Sequence, residues 1–195
     1  MFNLNDANFG GGATVFNNGN TGKVENIKMS VTKKSATDTE NAPDYKLIFT
    51  DVTGGQVNTG FYYHQDNEMY DEKRNRDLET WLVSRVLSAA KAVIPADFVF
   101  PEVNNSREAV DSLFKIIKEN SEGKLVNVYV TYGTVNKPSK YLSTRYFNFV
   151  ESADTPANMT KLKPSNNDQM VKLEADTPAQ TAGTTSTSTT TSDLW

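Results

Sequence analysis

The large apolar residues of this chain are gathered between Val24 and Val150 and nearly vanish afterwards. A core is made of side chains that leave water, so the fold is confined to that interval. Within a chain of 195 residues, an interval of this length holds one domain of ordinary size and is short for two. The remainder carries Pro156, Pro164 and Pro178 and the low-complexity run from Thr184 to Thr191. Such a stretch buries too little surface to offset the entropy of ordering it. Residues 152–195 are therefore expected to be a disordered Thr/Ser-rich tail, and residues 23–151 the domain. Residues 1–22 are rich in Asn and Gly, with Phe2, Leu4, Phe9, Val15 and Phe16 as their large apolar anchors. They read as an arm lying on the domain.

Inside the interval the period changes from two to near four and back. Ile27, Met29 and Val31 alternate with Lys28, Ser30 and Thr32, the spacing of a half-buried strand. A polar loop, Lys33 to Pro43, leads to a second strand at Tyr45 to Phe49. The turn Asp51-Val52-Thr53-Gly54-Gly55 then joins it to a third, Gln56 to His64, as a hairpin. Leu78, Trp81, Leu82, Arg85, Val86, Ala89 and Val93 recur at helical spacing, and Pro95 stops them; a helix from about Asp71 to Ile94 is expected to pack this face on the sheet. In a second helix Asn105 is the expected N-cap, with Glu108 at the capping-box position. Val110, Leu113, Phe114 and Ile117 form its stripe, and Gly123 ends it. Leu125 to Tyr132 and the aromatic-rich Tyr141 to Val150 read as a second hairpin across Gly133 to Lys140.

The order β-β-β-α-α-β-β, mainly β with inserted helices, is that of the five-stranded oligonucleotide/oligosaccharide-binding (OB) barrel, in which a helix fills the gap between strands three and four.

Little in the chain suits catalysis. There is no cysteine, hence no disulfide, thiolate metal site or Cys nucleophile, as suits a reducing cytoplasm. The lone histidine, His64, stands beside Asp66 and reads as a strand-end residue rather than a base. Asp66/Glu68 and Asp71/Glu72 lack calcium-loop spacing, and Asp71 and Glu72 sit where a helix N-terminus favours negative charge. Neither Gly10-Gly11-Gly12 nor Gly19-Asn20-Thr21-Gly22-Lys23 matches a phosphate-binding loop. No cofactor or metal is expected, and no run of apolar residues is long enough to span a membrane. A non-enzymatic binding protein is the expectation.

Net charge is −4, which does not advertise a nucleic-acid binder. The acidity is concentrated in the tail: from Glu151 onward six acidic residues face three lysines, leaving 17 basic and 18 acidic groups in residues 1–150. Within the domain, aromatic and basic side chains share strands and loops. Tyr62 and Tyr129 alternate out of the core, Lys46 and Arg145 lie on strands, and Lys33, Lys34, Lys137 and Lys140 occupy the two loops that flank the binding face of such a barrel. Stacking aromatics beside a positive track is what binds single strands without sequence preference.

With its element order from Val24 to Val150 and its tip Asp193-Leu194-Trp195, the chain resembles the single-stranded DNA-binding proteins of bacteria and their viruses. The resemblance implies a barrel that coats and protects single strands during replication, recombination and repair. It also implies a flexible tail whose tip recruits replication or recombination proteins. The tip has one acidic residue beside the aromatic where that family has several, which favours partner docking over competition with DNA. Such a protein would work in the cytoplasm, the host's if the chain is viral, and homo-oligomerisation is left open. The alternative is a structural or assembly protein of a virus particle that binds no nucleic acid.

Overall fold

The computed structural model describes residues 16–132, 140–142 and 149–163. Strand β1, Gly22–Lys33, turns Val24, Ile27 and Met29 into the core and Lys28, Ser30 and Thr32 to solvent. A bulge between Val24 and Ile27 switches the inward set from even to odd numbers. It is made possible by Asn26, whose φ of 59° is a conformation Asn tolerates better than most residues. The Asn26 N–H donates to Oδ1 of the buried Asn127 at 3.3 Å.

Strands β2, Tyr45–Thr50, and β3, Gln56–Phe61, form the expected hairpin. Its turn is held by Asp51, whose Oδ1 accepts from the Thr53 and Gly55 N–H groups, each at 2.9 Å. Gly54 takes φ +86°, which favours glycine. Oδ2 of Asp51 accepts the Asn17 N–H at 2.6 Å, tying the 3-10 turn Phe16–Gly19 to the hairpin and seating Phe16 in the core. β3 ends at Phe61, so Tyr62 to His64, expected in the strand, lie beyond the ladder.

Helix α1, Glu72–Lys91, starts at Asp71, whose carboxylate accepts the Arg74 N–H, and so confirms the capping role read for that acid. Helix α2, Ser106–Asn120, starts at Asn105, which accepts the Glu108 N–H; the Glu108 carboxylate reaches back one residue further than expected, to the Asn104 N–H at 2.9 Å. Leu82, Val86 and Ala89 of α1 and Val110, Leu113, Phe114 and Ile117 of α2 join the inward residues of the sheet in one core. Tyr45 stacks on Phe114 at 4.2 Å, and Phe61 meets it edge-on at 5.4 Å. The expected core face of α1 is corrected at its N-terminal end, where Leu78 and Trp81 stay 36% and 39% exposed. No helix among the described residues is long and apolar enough to cross a membrane.

β4, Leu125–Tyr132, pairs with β1 along one edge. Its other edge is shared by β5, Lys140–Leu142, and β6, Val150–Ser152. All pairings are antiparallel, in the order β3-β2-β1-β4-β5. The outer members, β3 and β5, approach within 8 Å between Cα atoms, but no ladder joins them among the described residues. The sheet is thus open where the sequence reading has a closed barrel. Chain structure also runs past the expected boundary at 151, through β6 and the 3-10 turn Ala157–Met159 to the buried Leu162.

Candidate nucleic-acid interface

The side of β1, β2 and β3 that faces away from the core carries Lys28, Ser30 and Thr32; Lys46, Ile48 and Thr50; and Gln56, Asn58 and Gly60. Register places Lys28 opposite Thr50, Ser30 opposite Ile48 and Thr32 opposite Lys46, with Asn58 and Gly60 next to Ile48 and Lys46. No carboxylate belongs to this set. Lys28 and Lys46 make no ion pair within 4 Å among the described residues. The four-residue offset between their positions spans about 13 Å along the strands, far enough for the two ammonium groups to meet different phosphates. Asp38, in the β1–β2 loop, lies in the field of Lys46; hydrogen bonds from the Ser35 N–H and hydroxyl hold its carboxyl below the usual range.

The structure distributes the sequence candidates unevenly. Lys46 lies on this face. Tyr62, just past β3, is 57% exposed at the edge of the face. Tyr129 also points outward, but at the far corner, directly opposite Lys23. There Lys23 is engaged by Glu25 at 3.1 Å and Glu151 at 3.3 Å, so this corner is locally acidic. Lys33 and Lys34 do not join the face. The Lys33 ammonium sits 3.5 Å from Asp111 and over the Tyr45 ring, and Lys34 donates to the Glu40 carbonyl at 2.5 Å. Both ammonium groups thus have partners within their own domain. Lys140 opens β5 opposite Tyr132. Lys137, Arg145 and the tip Asp193, Leu194 and Trp195 lie outside the described residues.

His64 is mostly covered, with Nε2 3.5 Å from Asp66 Oδ1. Glu72 pairs along α1 with Arg76 at 3.4 Å. Among the described residues no group of three or more His, Asp or Glu side chains could hold a metal ion.

Two features escaped the sequence reading. Lys28 was legible in the alternation, yet its place opposite Thr50 depends on strand pairing. The second is a polar cluster at the α2 end of the sheet. Tyr45 and Tyr63 both donate their hydroxyls to Asp111 Oδ1, and Arg107 covers the Tyr63 ring at 4.1 Å. Burial works against the charge on Asp111, but the two phenols and the Lys33 ammonium outweigh it and hold its carboxyl below the ordinary range. Burial, and then the bond to Asp111, push the Tyr45 phenol up to about 12 and raise that of Tyr63 as well. With two phenols donating to one carboxylate oxygen, the cluster clamps α2 on the sheet.

Comparison with known proteins gives no match to a family model, to a curated protein or to a solved structure.

Proposed function

We propose that the protein binds single-stranded DNA with little sequence preference, laying the strand across the outer face of β1, β2 and β3. It would thereby coat single strands during replication or recombination. The observation that carries this reading is the carboxylate-free face bearing Lys28 and Lys46, with Tyr62 at its edge. Cations that track phosphates and aromatic rings that accept stacked bases are the two ingredients of such binding. The strand order supports the same reading. An OB barrel cut between its third and fifth strands has the order β3-β2-β1-β4-β5, and here those two strands approach each other.

In this proposal Asp193-Leu194-Trp195 serves as a docking peptide for a replication or recombination partner. Leu194 and Trp195 are large apolar residues following a polar Thr/Ser-rich run, and would gain free energy by entering an apolar pocket with that run as tether.

Titration into fluorescently labelled oligo-dT at about 50 mM salt tests the assignment, with tight binding that falls steeply as salt rises expected from counterion release. Absence of binding at that salt would reject it and favour an assembly protein.

A further inference from the structure

Arg85 is a core-facing residue of α1, 8% exposed, that no carboxylate neutralises among the described residues. Its guanidinium packs on Trp81 at 4.4 Å, Phe61 at 5.0 Å and Phe149 at 5.7 Å. Among the described residues its buried Nε donor has no acceptor. Aromatic faces offset part of the cost of removing a cation from water, but they give the Nε–H no acceptor. Burial alone lowers its pKa to about 10, so the group remains charged at neutral pH.

Arg85 lines a pocket of about 300 Å³ between the chain leaving β3 and the middle of α1. That volume lies at the small end of the range for ligand sites. Tyr62, His64 and Trp81 share the lining, and no acidic residue contributes to it. Tyr62 and Trp81 are also two of the most exposed aromatics in the described chain, at 57% and 39%. A buried cation with no anion beside it among the described residues, next to two rings left partly in water, is the complement of a planar group that carries negative charge. Tyr62 lines the pocket and stands exposed just past β3, at the edge of its outer face, so a strand leaving that face over Tyr62 would reach the pocket mouth.

We propose that this pocket receives one nucleotide of the bound strand, its base against Trp81 and Tyr62 and its phosphate on the N–H edge of Arg85. The inference rests on the single-strand reading for the route to the pocket, while the pocket itself can be probed without a strand.

The test uses the full chain with Trp195→Phe, which leaves Trp81 as its one tryptophan. Its emission is followed while dTMP, thymidine, inorganic phosphate or oligo-dT is added, and labelled oligo-dT reports strand binding separately. Expected are saturable quenching by dTMP and by oligo-dT, with thymidine and phosphate each needing much higher concentration. Arg85→Met, which keeps the stem and removes the charge, should erase the dTMP response and weaken oligo-dT binding about tenfold, the size of one lost hydrogen bond to a charged group. Oligo-dT binding with Trp81 emission unchanged would overturn the pocket and leave the single-strand reading standing. Quenching by dTMP without oligo-dT binding would support the pocket and sink the strand reading. If thymidine quenches as well as dTMP, Arg85 holds no phosphate and the proposal fails, and this outcome needs no variant to fold.

Discussion

Tyr63 donates its hydroxyl to Asp111 Oδ1 at 2.5 Å, joining the chain that leaves β3 to the middle of α2. Because Tyr45 of β2 uses the same oxygen and Lys33 of β1 stands beside it, one carboxylate ties two strands and the segment after β3 to one helix. Its folded pKa is depressed, so its contribution is present above the ordinary carboxylate pKa and is lost as pH falls through the folded value. The phenols act in the opposite direction. Their folded pKa values are raised, so their contribution is complete below the unfolded value of 10 and, for Tyr45, is lost as pH climbs toward about 12. Urea unfolding followed from pH 3 to 11 should show both flanks. Asp111→Ala should cost about 1–2 kcal/mol, at the lower end for a charged hydrogen bond because the carboxylate is partly solvated. An unchanged pH profile in that variant would remove the clamp from the stability of the fold.

The two large aromatics of the helical layer should respond differently to truncation. Phe114 is 1% exposed and meets both Tyr45 and Phe61, so Phe114→Ala is expected to cost about 3–5 kcal/mol. Trp81 keeps 39% of its surface in water, and Trp81→Ala should cost less than about 2 kcal/mol. Equal losses in chemical denaturation would mean that Trp81 belongs to the core after all.

Gly60 is constrained by space and not by its backbone. A Cβ there would lie 2.9 Å from Cβ and 3.0 Å from Cγ of Pro43, whose ring cannot rotate away. Gly60→Ala is expected to push the β1–β2 loop off β3 and cost about 1–3 kcal/mol, as overpacking does. A Tm equal to that of the parent protein would show that the loop yields freely.

Lys28 and Lys46 provide the quantitative test of the proposed interface. If each meets one phosphate, Lys28→Ala and Lys46→Ala should each lower the slope of log affinity against log salt by about 0.7. Lys33→Ala should leave the slope unchanged, since that ammonium is occupied by Asp111. A loss of slope on replacing Lys33, with none for Lys28 and Lys46, would move the binding track to the α2 end of the sheet.

Much of the fold was legible because it is written in short-range patterns. Both helices begin at the caps read for them, Asp71 and Asn105, since a cap depends on residues three positions away. The β2–β3 hairpin forms around Asp51 to Gly55 as its turn chemistry requires. The candidate site was less legible. Lys33 and Lys34 look alike in a polar loop, yet one is engaged by a carboxylate on a distant helix and the other by a carbonyl six residues away.

Alternation and helical spacing determined which side of each element is apolar, because a side chain's direction follows from the local backbone period. Tertiary structure decided what those sides meet. The bulge at Asn26 changes the inward set of β1 within one strand, and register brings Lys46 beside Thr32 and Gly60. Arg85 occupies a position in the apolar stripe of α1, and helical periodicity alone treats it as one more core-facing residue. Only the packing of α1 against Phe61 and Phe149 turns it into a buried cation lined up with a pocket. Electrostatic character depends on which groups converge in space, and groups far apart in the chain converge only once the core has closed.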